Sequence, residues 1–195
     1  MPKNVSSQIH DIFNNKKTRK TFLKLRAPIG ILLFILLLTQ LNPSWFLPGL
    51  LVSMLGQALQ IWCMSTIKTQ KKLTVTGPYM FVRNPMYLSR FFLIFGILMM
   101  TGNPWLLILL TAIYYYYMIN RVNREEKILS ELFGEDYKNF CKEIHPYLPG
   151  FKRFDPTKLW SFNKESFEQN NVLTNIVLPV ICYFVLFLFT FVWPM

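Results

Sequence analysis

The chain has 195 residues, of which 52% are hydrophobic and 16% charged, and a formal net charge of +11 at pH 7. A soluble domain carries about 25% charged residues, and the mean hydropathy here is +0.29, so a water-exposed globular domain is excluded and a membrane protein is indicated. Cys63, Cys141 and Cys182 lie far apart with no CxxC pair, a spacing that suits reduced or buried thiols and no metal site.

Five apolar segments follow in chain order. The first spans about 22–41, with Lys24 and Arg26 at its start, positioned to snorkel. The basic stretch before it is long and no small-residue cleavage site follows Leu41, so it is read as a retained helix. The second spans about 46–67 and the third about 86–100. The fourth starts at Pro104 and runs to about Asn120, and the fifth spans 172–193. About 20 helical residues cross the hydrocarbon, so segments three and four are short for a full span. Asn42-Pro43-Ser44 and Gly102-Asn103-Pro104 break the runs, and Asn103 is placed to cap a helix beginning at Pro104. Trp45, Trp105 and Trp193 fall at segment ends on one expected side, as interfacial anchors do.

Charge sets the orientation. Residues 1–26 hold seven Lys/Arg, residues 68–90 five and residues 121–164 nine, which accounts for all 21. Positive charge stays inside, so the N-terminus and the 68–85 and 121–171 segments are expected in the cytoplasm and the C-terminus outside. This placement explains the net charge without nucleic acid. Between 121 and 149, Ile128, Leu129, Leu132 and Phe133 form a helical stripe, and Arg121–Glu125 and Lys127–Glu131 are spaced as i, i+4 ion pairs. Gly134 stands where a C-terminal cap belongs. A second helix carries Tyr137, Phe140, Cys141 and Ile144 on one face and ends at His145-Pro146. The expected fold is all-α: a polytopic membrane protein with about five transmembrane helices and two short amphipathic cytoplasmic helices. Residues 150–171 read as polar and irregular, and no internal repeat is present.

Two segments on the basic side carry the chemistry. In the first, Gly77-Pro78 forces a turn, and Arg83 and Asn84 precede Pro85, a first-turn proline. They therefore stand at a helix N-terminus, which favours anions such as a carboxylate or phosphate. The other reading makes Arg83 a positive-inside anchor and Tyr79 and Tyr87 interface aromatics. In the second, Glu125 and Glu126 lie beside Arg121 and Arg124 where the fourth segment leaves the membrane. They suit either an amino or ribose group or a solvated face of ion pairs.

Gly77, Tyr79, Arg83, Asn84, Pro85 and Tyr87 resemble the pattern Gly-x-Tyr-x-x-x-Arg-His-Pro-x-Tyr. Arg121, Glu125, Glu126, Leu129, Phe133, Gly134 and Tyr137 resemble Arg-x-x-x-Glu-Glu-x-x-Leu-x-x-x-Phe-Gly-x-x-Tyr. Together, in order and separated by a short helical hairpin, they resemble the isoprenylcysteine carboxyl methyltransferase and phospholipid methyltransferase superfamily of integral membrane enzymes. The resemblance is strong over 73–149, and the topology agrees from about residue 46.

The resemblance implies one membrane-embedded methyltransferase domain over 1–195. Within it lie a basic cytoplasmic N-terminus (1–26), a cofactor-binding signature region (73–149) and an extra C-terminal membrane helix (172–193). It implies S-adenosyl-L-methionine as cofactor and a lipid or lipidated substrate as partner. Leu73, Gly77, Tyr79, Arg83, Asn84, Tyr87, Glu125 and Glu126 would bind the cofactor. Tyr79, Arg83, Asn84 and Tyr87 would face its methionine end, and Glu125 and Glu126 its amino or ribose groups. Arg121 and Arg83 would be the catalytic pair, Arg121 facing the acceptor or the cofactor carboxylate. The expected location is a bacterial inner membrane or an endomembrane.

Asn84 departs from the family histidine. It keeps a hydrogen-bond donor but cannot titrate near neutral pH. An anionic phosphate or carboxylate oxygen needs no deprotonation whereas an ammonium does, so Asn84 tilts the expectation towards O-methylation of a lipid over N-methylation. Methylation of a small hydrophobic thiol, and a non-catalytic scaffold or partner protein, are the alternatives. Charges confined to one face disfavour a transporter.

Overall fold

The computed structural model describes residues 16–67 and 73–193, and every regular element in them is helical. The basic residues before Lys16, Lys68, Lys71, Lys72 and the terminal Met195 lie outside the described residues, as do the side chains of Lys24 and Arg26. The principal helices are α1 (Lys16–Leu38), α2 (Pro43–Thr66), α3 (Pro85–Met99), α4 (Pro104–Glu143), the short α5 (Lys164–Gln169) and α6 (Val172–Phe187), which ends in a π-helical turn, Leu188–Val192. Three helices are long and apolar enough to cross a membrane: Pro43–Thr66, Pro104–Glu143 and Val172–Val192. Ala27–Leu38 and Pro85–Met99 are shorter apolar helices. Each of the five expected segments is therefore a helix. Large apolar side chains such as Ile31, Leu51, Ile108 and Leu178 point outward, which suits lipid and not water.

The tightest packing joins α2 to α3, through small residues. A Cβ on Gly56 would lie 2.3 Å from the Leu93 backbone nitrogen, and one on Gly96 would lie 2.3 Å from that of Ser53. Helices with nothing larger at the crossing bring their backbones together and gain dispersion, the main attraction available in lipid. Ser53 Oγ donates to the Leu93 carbonyl (2.9 Å) and shares a hydrogen bond with the Tyr183 hydroxyl (2.8 Å), while Gln57 Nε2 donates to the Asn175 carbonyl (2.5 Å). These polar contacts hold α6 against α2, and Phe46 stacks edge-on with Phe187 and Phe191 at the far end.

The turns at the uncharged end behave as expected. Asn42 Oδ1 accepts from Ser44 N–H, and Asn42 N–H donates to the Met100 carbonyl (2.9 Å), tying the two turns together. Asn103 caps α4, accepting from Trp105 N–H (3.0 Å) and Leu106 N–H (3.4 Å). Asn103→Ala is expected to cost about 1 kcal/mol, read as a lowered melting temperature in detergent. Trp45, Trp105 and Trp193 are all exposed.

One boundary differs from expectation. The fourth segment does not stop near Asn120 but runs to Glu143, so the first amphipathic helix is its direct continuation. No breaker stands between Asn120 and Phe133, and Arg121 Nε pairs with Glu125 Oε1 (2.9 Å) across the point of exit. Lys127 and Glu131 form no ion pair among the described residues. The interruption comes at Gly134, whose φ of 52° and ψ of −122° bend the chain before helical bonding resumes. Only glycine adopts that backbone without strain. Beyond the bend Tyr137, Phe140 and Ile144 are buried together against Leu73 and Val75.

Residues 150–171, expected to be irregular, contain the 3-10 turn Pro156–Lys158 and α5, and the stretch before α5 is attached to the bundle. Trp62 Nε1 donates to the Leu159 carbonyl (3.2 Å), Asn163 N–H to the Ser65 carbonyl (3.0 Å), and Ser161 Oγ to Thr76 Oγ1 (2.9 Å). They strap the charged end of α2 to the turn Gly77–Met80.

Candidate active site

The two motif segments meet at the charged end of the bundle. Pro78 opens a single 3-10 turn, Gly77–Met80. The chain then runs beside the segment that leaves α4: Arg83 N–H donates to the His145 carbonyl (3.0 Å), Asn84 N–H to Pro146 (3.2 Å), and Gly150 N–H to Phe81 (2.8 Å). Pro85 starts α3 directly afterwards, with Asn84 as its N-cap residue but without a side-chain cap bond. The N-terminus of α3, the charged half of α4 and the 73–80 segment thus surround a cavity of about 660 Å³. That size suits a small-molecule ligand, for which pockets run to roughly 300–1,000 Å³.

Leu73, Tyr79, Arg83, Asn84, Tyr87, Arg121 and Glu125 all line this cavity. Gly77 and Glu126 do not. Gly77 seats the turn on α2, where a Cβ would stand 2.9 Å from Thr66 Oγ1. Glu126 lies behind Arg83, its Oε1 3.0 Å from Arg83 Nε, with the Arg83 side chain only 11% exposed. Arg83 Nη1 reaches the Cys141 carbonyl (3.5 Å). On the other wall Arg121 Nε donates to the Tyr87 hydroxyl (3.2 Å) and to Glu125 Oε1 (2.9 Å). The Tyr114 hydroxyl donates to the Tyr87 carbonyl (2.6 Å), fixing the first turn of α3.

Several polar atoms here are buried without a hydrogen-bond partner: the Tyr79 and Tyr137 hydroxyls, Asn84 Nδ2, Arg83 Nε and Glu126 Oε1. The last two are close enough for attraction, but their alignment misses a hydrogen bond. Buried polar groups are rarely left unsatisfied, so the Tyr79, Tyr137 and Asn84 groups favour a polar ligand. Burial pushes the Tyr79 hydroxyl well above the usual tyrosine range. Burial, reinforced by the Glu126 charge, also raises Tyr137 and Tyr147. All three are neutral donors at physiological pH.

Sequence reasoning missed some of the wall. Ile128, Leu129, Leu132 and Phe133, expected as a packing stripe, line the cavity, and Ile128 and Leu132 are more than half exposed. Arg90 lines it too. Its signal was available: it is the lone charge in the apolar run of α3, three residues from Tyr87 and hence on the same face.

The chain is similar in sequence to known proteins. Residues 45–136 match the phospholipid methyltransferase family. A nickel-cobalt-cadmium resistance protein of Alcaligenes xylosoxydans xylosoxydans is 26% identical over 74% of this chain and 72% of its own length. A probable protein-S-isoprenylcysteine O-methyltransferase of Oryza sativa subsp. japonica is 25% identical over 58% of this chain and 67% of its own. The protein-S-isoprenylcysteine O-methyltransferase of Saccharomyces cerevisiae is 28% identical over 52% and 47%. No solved structure matches the chain. The matched region contains nearly all of α2, all of α3, most of α4 and most of the residues that wall the cavity, and these likenesses support a place for the chain in the isoprenylcysteine carboxyl methyltransferase and phospholipid methyltransferase superfamily.

Proposed function

We propose that this protein is an S-adenosylmethionine-dependent methyltransferase acting on a membrane-embedded lipid acceptor, with an anionic phosphate or carboxylate oxygen preferred over an amine. The observation that carries the reading is the set of buried polar atoms without a hydrogen-bond partner on Tyr79, Asn84 and Tyr137, beside the Arg83–Glu126 ion pair, grouped at and behind the wall of one cavity at the charged end of apolar helices. These groups fit a cofactor that presents a carboxylate, an amino group and ribose hydroxyls together. S-adenosylmethionine supplies a methyl group on a sulfonium, which is already activated as a leaving group.

The chain's own residues bind and orient. Arg83 and Asn84, with Tyr79 and Tyr87, offer donors for the carboxylate of the methionine end. Glu125 is the acceptor for amino or ribose groups, Glu126 acts through Arg83, which it holds, and Leu73 stands against the apolar side. Arg121, held by Tyr87 and Glu125, faces the acceptor. Holding two reactants in line is worth several kcal/mol, up to roughly 7–11, and nothing here needs to act as a base. Asn84 cannot take a proton, and an anionic oxygen has none to lose. The names of the rice and yeast relatives specify O-methylation of an isoprenylcysteine, which agrees with oxygen as the acceptor. The cavity end lies in the cytoplasm by the positive-inside rule, with the C-terminus outside, so a cytosolic donor meets a lipid head group at the interface. The whole chain acts as one unit, and α6 shapes the bundle on the lipid side.

The test is methyl transfer from labelled S-adenosylmethionine in membranes containing the chain, followed by lipid extraction, with empty-vector membranes as control. Label in a specific lipid supports the proposal. Cofactor binding is tested separately: Glu126→Ala is expected to weaken S-adenosylhomocysteine about a hundredfold by calorimetry, with the helical content retained. Undiminished affinity would remove Glu126 from the site.

A further inference from the structure

Arg90 sits on α3 roughly 7 Å past Pro85, at the helical rise of about 1.5 Å per residue. An arginine inside an apolar helix is costly and is normally paired or functional. Its contacts here are soft: Nη2 lies 3.4 Å from Met86 Sδ, and Cζ lies 6.0 Å from the centroid of the Tyr87 ring. Among the described residues no carboxylate reaches it. Glu126 is taken by Arg83 and Glu125 by Arg121, and the only charged residues in 68–72 are lysines. Long helical side chains lean towards the helix N-terminus, and Arg90 lines the cavity. Its charge opposes the upward push that burial gives the Tyr79 hydroxyl. The cavity wall carries Arg83, Arg90, Arg121 and Arg124 against the single carboxylate of Glu125.

We infer that Arg90 is the receptor for the anionic group of the methyl acceptor, a carboxylate or phosphate at the end of an amphiphile whose apolar part meets Ile128, Leu129 and Leu132. The inference rests on the methyltransferase reading only for the anion's role as acceptor. A partly buried guanidinium resting near a ring and a thioether gains most from a partner that brings its own negative charge. The contact also gives direction. Methylation of an anionic oxygen removes one unit of negative charge and moves no proton, so a carboxylate product becomes neutral and loses its attraction to Arg90, and a phosphate monoester product is held more weakly than its substrate.

The experiment uses the full chain in phosphatidylcholine nanodiscs, with calorimetry corrected for empty discs. The anionic probes are decyl phosphate and decanoate; the controls are methyl decanoate and decylamine. Both anions should bind above the controls, and the tighter one names the acceptor group. Arg90→Leu and Arg90→Gln should weaken anion binding roughly ten- to a hundredfold and leave S-adenosylhomocysteine affinity unchanged. Arg90→Lys should recover part of the loss. Anion affinity indifferent to Arg90, in variants that still bind S-adenosylhomocysteine, overturns the inference, as does methyl decanoate binding as tightly as decanoate. Absence of S-adenosylhomocysteine binding in the unaltered protein instead overturns the methyl-donor reading, and leaves the dependence of anion binding on Arg90 to stand or fall alone.

Discussion

Arg83→Gln is expected to lower methyl transfer by about a hundredfold or more, the scale on which small errors of position cost rate. Arg83 links three elements at once. Its backbone N–H holds the His145 carbonyl, its Nη1 reaches Cys141 and its Nε stands 3.0 Å from Glu126. Glutamine keeps length and some hydrogen bonding but removes the charge that a carboxylate ligand needs. It also leaves Glu126, one-quarter exposed, without its cation. Removing one member of a buried pair costs up to roughly 3–5 kcal/mol, and partial hydration of Glu126 reduces that. Stability and catalysis are separated by measuring melting temperature, S-adenosylhomocysteine affinity and initial rate together. A double cycle with Glu126→Gln should give a coupling of about 1–3 kcal/mol. A rate within twofold of the unaltered protein's would show that Arg83 is an anchor and nothing more.

Gly56→Val should prevent the bundle from assembling. A Cβ at position 56 would stand 2.3 Å from the Leu93 nitrogen and 2.8 Å from both the Phe92 carbonyl carbon and the Ser89 oxygen. These are backbone atoms, so no rotamer change relieves the clash and α2 must move away from α3. Overpacking costs typically 1–3 kcal/mol and sometimes more; two backbones in contact put this case at or above the upper end. Separating the helices also breaks the bond from Ser53 to the Leu93 carbonyl. The expected readout is aggregation or a large loss of melting temperature in detergent. Gly30→Ala is the control: a Cβ there meets nothing within 4 Å, and the change should be neutral or slightly stabilising. Equal stability of the two variants would mean that the close crossing does not hold the bundle together.

The sequence by itself determined the apolar segments, their turns and the side on which charge collects, because hydrophobic length, capping residues and cation placement are local properties. Asn103 announced a cap and forms one, and Gly134, expected as a C-terminal cap, bends a helix that resumes beyond it. The two motifs could be read as a pair, and Tyr79, Arg83, Asn84, Tyr87, Arg121 and Glu125 do meet around one cavity. What the tertiary structure alone decided depends on distance between segments. Pairing of Glu126 with Arg83 removes it from the cavity wall, and Gly77 faces α2. The stripe from Ile128 to Phe133 periodically repeats as a core face would, yet lines a cavity, since periodicity records a side of a helix and not what stands opposite. Residues 150–163 carry no regular pattern, and their attachment to Ser65, Thr76 and Trp62 comes from single hydrogen bonds between distant positions. Arg90 was counted in the sequence as one more positive charge. Only the fold shows that, among the described residues, its neighbours are a thioether and a ring, with Glu125 and Glu126 already engaged, because what surrounds a side chain is a property of the fold and not of the residue.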